Sequence, residues 1–302
     1  MFCSVESNEQ HFVCNEVGLS RKVKTVTNER FLIVGTARDV AHSLTSSIRH
    51  LWNVFSRLGE TTFFVVESNS SDNTVGVLKS LASEISNFSF DSIDGLPEGS
   101  ELRTHRLATC RNHYLDYLLK QQFGDNDVVV VADLDGVNRR LSVEGVVTSL
   151  REKVWDVITA NQAGRYYDLW ALRHPIWCPS DYRLYSEFLV AQGYSKRSAH
   201  RLSVRTRQIR IAPESGLIEV ESAFGGLALY RPWVIGTSRY EGTTPDGFPV
   251  SEHVPFHCGA RGAGARIFIN PRMINAHHTE HTSLFSLFAA HTRNHWRDVI
   301  GG

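Results

Sequence analysis

The sequence predicts an α/β protein, a mostly parallel sheet flanked by helices. Three observations carry that prediction. Short, largely apolar runs recur at 31–34 (FLIV), 61–66 (TTFFVV) and 127–132 (DVVVVA). Strands buried on both faces read this way, because helices cover both sides of a parallel sheet. Stretches with apolar residues at helical spacing separate the runs. Each run then ends in small or polar residues, as expected at the carboxyl edge of such a sheet, where ligands collect.

In chain order, residues 1–29 are polar without a clear period and read as a tail or edge element. The run 31–34 ends in Gly35-Thr36. A helix is expected over 40–58, with Leu44, Ile48, Leu51, Trp52 and Phe55 on one stripe. The strand 61–66 ends in Glu67 and a Ser/Asp cluster that caps a helix over 73–86. A weaker strand at 88–90 and a loop at 91–101 precede a helix over 103–122. That helix leads to 127–132, followed by Asp133 and Asp135. The second half is less regular, with aromatic and Pro-rich stretches and a basic run, KRSAHRLSVRTRQIR, at 196–210. No repeat or low-complexity linker divides the chain. Residues 30–302 therefore read as one domain, with a nucleotide-binding half at 30–140 and an acceptor-side half at 141–302.

Composition narrows the function. The 302 residues hold 32 Lys plus Arg and 32 Asp plus Glu, a formal net charge of zero. A duplex nucleic-acid binder that neutralises phosphates normally shows a basic excess, so no nucleic-acid partner is expected. Hydrophobic residues at 42% and charged residues at 21% fit a folded globular chain. Five widely spaced cysteines contain no CxxC pair, which argues against a zinc knuckle or a disulfide framework. The N-terminus shows no secretory pattern, and no apolar run approaches the roughly 18–20 residues of a membrane span. The expected location is cytoplasmic. Peripheral contact at the inner membrane face stays open because of the basic run and because the segment SLFSLFAAHTRNHWRDVI has amphipathic character.

The strongest chemical signal is VVVVADLDG at 128–136. Asp133 and Asp135 leave a buried strand together, and two hard oxygen donors so placed suit Mg²⁺ or Mn²⁺ bridging a diphosphate. Two enzyme classes use a carboxylate pair at a strand end. A haloacid-dehalogenase-like phosphatase also needs a downstream Lys and a paired acidic motif; only Lys153 and Lys196 follow, and no adjacent Asp pair does.

The other class is the nucleotide-sugar glycosyltransferases of GT-A fold. The segments VESNSSDNT (66–74), RLATCRNHYLDYL (106–118), VVVVADLDGVN (128–138), YYDLWALRH (166–174) and SAFGGLALYRP (222–232) occur in the order of one such family. Through them the chain resembles the fungal capsule-associated α-1,3-mannosyltransferase family and its bacterial relatives. The resemblance implies a GT-A fold with a Rossmann-like sheet, a divalent metal and a GDP- or UDP-linked sugar donor. It also implies transfer to a glycan or lipid-linked acceptor, with retention of anomeric configuration, in a setting such as surface polysaccharide synthesis.

Roles follow for the matched positions. Gly35, Thr36 and Arg38 lie where the first strand meets a nucleotide, and Glu67 where a carboxylate accepts hydrogen bonds from a base or ribose. Arg111 and Asn112 are candidates for the diphosphate, since guanidinium forks match phosphate oxygens. Tyr167, Asp168, Trp170 and Arg173 suit sugar recognition. Glu221, Glu252 and Asp168 are the candidate catalytic carboxylates. The segments EHVPFH and NAHHTEHT supply late histidines, of which His277 or His278 is the candidate third metal ligand, with His257 and His281 next in line. No HExxH occurs, so a zinc-hydrolase site is not indicated. A non-catalytic nucleotide-sugar-binding module is the remaining reading outside enzymes.

Overall fold

A computed structural model describes residues 29–96 and 103–277. In chain order these form β1 (Arg30–Ala37), α1 (Ala41–Phe55), β2 (Glu60–Ser68), α2 (Thr74–Glu84), β3 (Phe88–Ile93), α3 (Arg103–Leu118) and β4 (Val128–Ala132). The second half adds α4 (Val143–Arg151), β5 (Val157–Gln162), α5 (Tyr182–Ala191), α6 (Lys196–His200), β6 (Ile218–Val220), β7 (Leu227–Tyr230), α7 (His253–Gly262) and β8 (Ile267–Ala276). The expected helices and strands of the first half are all present, within a few residues of their predicted ends. The tail at 1–28, His278, His281 and the C-terminal amphipathic stretch lie outside the described residues.

All eight strands form one sheet in the order β3-β2-β1-β4-β7-β5-β8-β6. The pairs β1–β2, β1–β4, β2–β3 and β5–β8 are parallel. Antiparallel pairs join β7 to both β4 and β5, and β6 to β8. Strands β1 to β5 and β8 therefore run one way, and their carboxyl ends share one edge. This is the mostly parallel, helix-flanked sheet that the apolar runs predict.

The period-2 geometry of a strand explains the two cores. Leu32, Val34, Phe64, Val66, Val129 and Val131 enter one core with Tyr114 and Leu115 of α3 and Phe256 of α7. Their neighbours Phe31, Ile33, Phe63, Val65, Val128 and Val130 enter the other, with Leu44 and Ile48 of α1, Leu78 of α2 and Val146 of α4. Successive side chains point to opposite faces, so a strand covered on both sides must be apolar throughout.

Helix α1 buries Leu44, Ile48, Leu51 and Phe55, as its periodicity demands, while Trp52 flanks the stripe and stacks on Phe63. Helix α4 begins at Ser142, whose side chain accepts a hydrogen bond from Gly145 N, and carries Glu144 in its first turn and Arg151 in its last. Cap and charges both oppose the orphan groups of the helix ends.

Candidate active site

The first residue after β4 is the junction of the site. Asp133 N donates to Gly226 O at 2.9 Å, continuing the β4–β7 ladder beyond the strand. Gly225 and Gly226 have φ of +68° and +88°. A Cβ on Gly225 would lie 2.8 Å from Ala160 O, and one on Gly226 2.7 Å from Val137 Cγ1 and 3.1 Å from Tyr167 Oη. Both the backbone conformation and the space exclude any other residue without rearrangement. The two glycines let β7 pass close enough to reach Asp133.

Asparagines lock the surrounding loops. Asn138 Nδ2 donates to Asp133 O and Gly226 O, at 2.9 and 3.0 Å. Asn275, near the end of β8, donates through Nδ2 to Asn138 Oδ1 at 2.8 Å and to Gly225 O at 2.7 Å. Arg140 N donates to Asn275 O at 2.9 Å. The carboxyl end of β8 is thereby tied to the loop that follows Asp135. His277, two residues beyond Asn275, is the first residue after β8 ends at Ala276.

Asp168 joins from the loop after β5. Its Oδ2 accepts from Gly225 N at 2.9 Å, so the diglycine turn holds Asp168 on one side and Asp133 on the other. Burial, together with the neighbouring Asp135 carboxylate, pushes Asp133 up to about 7, with Asp168 and Glu252 adding to the rise and Arg111 opposing it. A third of the Asp133 side chain remains open to solvent. Tyr167 is raised well above the usual phenol range by burial and by Asp168, Asp133 and Asp135, so it stays a neutral hydroxyl.

Beneath Asp133 lies Arg111, 3% exposed. Its Nε donates to Glu252 Oε1 at 2.7 Å, its Nη1 to Tyr114 Oη at 3.0 Å, and its Nη2 approaches Asp133 Oδ1 at 3.4 Å. The rings of Phe224 and Tyr240 cover it, 5.1 and 5.9 Å from the guanidinium carbon. Burial works against its charge, but Tyr114, Glu252 and Asp133 outweigh that and hold it protonated. Arg111 thus stands behind the carboxylates as a buried cation. The spacing held this information: Thr104, Ala108, Arg111, Leu115 and Leu118 form one buried helical stripe.

The other sequence candidates divide. Glu252, 5% exposed, is the partner of Arg111 at the start of α7 and not a carboxylate open to a substrate. Glu221 is half exposed and faces Arg261 at 3.7 Å. Asn112 is engaged in both directions with the backbone of Tyr240, each bond 2.9 Å long. Trp170 and Arg173 both donate to the buried Asp181 at the start of α5, at 3.1 and 3.2 Å, so only Tyr167 and Asp168 of their segment reach the carboxylates. His257 is buried between Ser222 Oγ and Tyr230 Oη, at 2.9 and 3.0 Å, and burial lowers it to about 3. That placement removes His257 from the candidate metal ligands. Sequence reasoning also overlooked Asn275 and Tyr114; an isolated asparagine or tyrosine carries no local signal of such a clamp.

On the β1 and β2 side, Gly35 has a packing reason of its own, since a Cβ there would sit 2.6 Å from Ala132 O. Thr36 and Arg38 follow it at the carboxyl edge, with Arg38 Nε 3.5 Å from Asp39 Oδ2. Glu67 is buried and accepts from Ser70 N at 2.8 Å and from Ser92 Oγ. Asp39, at φ +52°, accepts from Ser71 N at 2.7 Å and ties the loop after β1 to the loop after β2.

The donor set fits a divalent cation in one specific sense. Asp133 and Asp135 crowd each other at the open edge, and carboxylate oxygens suit a hard ion. Among the described residues, no group of three or more His, Cys, Asp or Glu side chains forms a ready-made cage. Further oxygens would have to arrive with a ligand, as a diphosphate supplies them.

The chain matches no protein-family model and no curated protein sequence. Solved structures to which it is similar include the mannosyltransferase PcManGT of Pyrobaculum calidifontis, in complex with GDP-Man and Mn²⁺. There the identity is 12%, with 82% of this chain and 60% of that one covered and a TM-score of 0.39. Residues 1–349 of S. aureus TarS, in complex with UDP-GlcNAc, give 13% identity, 84% and 61% coverage and a TM-score of 0.47. Glucosyl-3-phosphoglycerate synthase from Mycobacterium tuberculosis, in complex with UDP, gives 16%, 85%, 74% and 0.42. This chain spans about three fifths of the length of the first two.

Proposed function

We propose that this chain is a GT-A glycosyltransferase that moves a sugar from a nucleoside diphosphate to a glycan or lipid-linked acceptor, with retention of configuration. The observation that carries the reading is the meeting of Asp133, Asp135 and Asp168 at the carboxyl edge of the sheet, around a diglycine turn and above the buried Arg111. The resemblance read from the sequence supports it.

Asp133 and Asp135 would hold Mn²⁺ or Mg²⁺ together with the donor diphosphate, and His277 or His278 is the proposed further ligand. Held there, such a cation would supply positive charge to offset that developing on a departing diphosphate. The protein's own part is preorganisation. Arg111, fixed by Glu252 and Tyr114, holds Asp133 in place. Gly225 N orients Asp168 toward the reacting region, where its carboxylate faces sugar hydroxyls or a developing positive centre. The neutral Tyr167 hydroxyl offers a hydrogen bond there without adding charge. The loops after β1 and β2, with Thr36, Arg38 and Glu67, form the proposed nucleotide side.

The test is thermal unfolding and calorimetry with GDP, UDP and their sugars, with and without Mn²⁺. The unmodified chain should bind one nucleotide series only when Mn²⁺ is present. Asp135 is exposed at the site, so Asp135→Ala should leave the melting temperature within about 1 °C, while lowering donor affinity at least tenfold. Unchanged donor affinity in that variant sinks the metal assignment. A beryllofluoride adduct on Asp133, the mimic of an aspartyl-phosphate, would replace the transferase with a phosphatase. The anomeric configuration of the product, read by NMR, decides retention.

A further inference from the structure

A second feature lies on the same edge of the sheet. Where the chain leaves β5, Tyr166 N donates to Ile209 O at 2.8 Å, and Arg165 and Arg210 form an antiparallel bridge. Between these segments and the helical turn at 201–205 opens a cleft of about 540 Å³, lined by Arg165, Arg205, Thr206, Gln208, Ile209 and Arg210. No acidic residue lines it. None of the ion pairs among the described residues involves Arg165, Arg205 or Arg210.

The neighbouring Arg207 shows what a committed arginine looks like here. It lies over the ring of Tyr185 at 4.6 Å and reaches Cys178 Sγ. Arg165, by contrast, uses only Nη1 within the protein, on the carbonyls of Arg205 and Gln208, both at 3.3 Å. Those bonds fix the cleft wall and leave the rest of the fork to solvent. Three arginines lining one cleft without a carboxylate present guanidinium forks shaped for phosphate oxygens.

The cleft offers a second, independent requirement. Gln208 is 3% exposed, yet its Oε1 has no hydrogen-bond partner. A buried acceptor left unmade costs about 1–3 kcal/mol, which a ligand hydroxyl would recover once the Gln208 amide turns into the cleft it lines. Phosphate and hydroxyl on one ligand describe a phosphorylated polyol or sugar. The location fits the acceptor side. Strand β5 lies two places from β4 in the sheet, about 10 Å at usual strand spacing, and Tyr167 and Asp168 span the interval.

We propose that this arginine-lined cleft binds the phosphate of a phosphorylated, hydroxyl-bearing acceptor. The word acceptor rests on the glycosyltransferase reading; the binding of a phosphate ester does not.

The experiment separates the two. Calorimetry on the full chain carrying Asp135→Ala, in EDTA so that the carboxylate site is silent, measures glycerol 3-phosphate against inorganic phosphate. A parallel arm uses phosphatidylcholine vesicles with and without phosphatidic acid, so the arm that binds tells whether the phosphate ester is soluble or a lipid headgroup. The expected result is binding in at least one arm, weakened tenfold or more by Arg205→Gln with Arg210→Gln, each lost charge-assisted contact being worth about a factor of ten. The pair Arg205→Lys and Arg210→Lys, which keeps the charge, should lose less. Gln208→Leu should abolish the preference for glycerol 3-phosphate over inorganic phosphate. In the otherwise unmodified chain, the Arg205→Gln/Arg210→Gln pair should leave donor affinity in Mn²⁺ within about twofold. Binding in neither arm, or equal binding by the double Gln variant, overturns the cleft as a phosphate site. Phosphate-ester binding without any donor binding overturns the acceptor role and, separately, the glycosyltransferase reading.

Discussion

Glu252 distinguishes a supporting role from a chemical one, because the sequence offered it as a catalytic carboxylate and the structure pairs it with Arg111. The perturbation is Glu252→Ala. It removes the 2.7 Å partner of a guanidinium that is 3% exposed and leaves Asp133, at 3.4 Å, as the nearest carboxylate. Breaking a buried ion pair from one side costs about 3–5 kcal/mol, since the remaining charge stays desolvated and uncompensated. At roughly 2–4 °C per kcal/mol for a domain of this size, the melting temperature should fall by about 6–20 °C. The paired replacement Arg111→Met with Glu252→Leu removes both charges and should regain most of that stability, because apolar side chains of similar volume need no compensation. The full cycle of single and double variants, followed by urea unfolding, then gives a favourable coupling energy of several kcal/mol. Donor binding should not return with stability in the double variant, because Asp133 has lost the cation behind it. A Glu252→Ala protein that melts within about 1 °C of the parent yet loses turnover would refute the reasoning and restore Glu252 as a residue of the chemistry.

Two further outcomes follow from the same geometry. His257, lowered to about 3 against an ordinary 6.5, and His253, held well below its usual value by burial and Arg111, are neutral in the fold and charge on unfolding. Their stabilising contribution is therefore complete above pH 6.5 and is lost as pH falls toward 3, on the order of 5 kcal/mol for His257. His257→Gln should reduce the slope of unfolding free energy against pH between 4 and 6 by about one proton, and an unaltered slope would contradict its burial as a neutral ring. Gly226→Ala combines backbone strain at φ +88° with a contact at 2.7 Å, whereas Gly264→Ala, at φ +99° with no atom within 4 Å, carries strain alone. Urea unfolding should show Gly226→Ala to be the costlier by about 1–3 kcal/mol, and equal costs would mean that Val137 yields without penalty.

The layers of this protein follow from local patterns along the chain. Each apolar run became a strand buried on both faces, and each helical stripe became the face that covers it, since periods of 2 and 3.6 residues are local properties of the chain. The sequence also put Asp133 and Asp135 at a strand end, because a buried run that stops at a carboxylate can only stop at an edge. The tertiary structure decided what those carboxylates meet. Strand β7 enters antiparallel between β4 and β5, and that insertion sets Gly226 on Asp133 and Gly225 on Asp168. Arg111 and Glu252 are 141 residues apart, and Asn138 and Asn275 are 137 apart. Such pairs depend on the path of every connection between them, which no local pattern encodes. A buried charge is the sharpest case: its position on the stripe of α3 announces burial, but only the folded chain supplies the partner that makes burial tolerable.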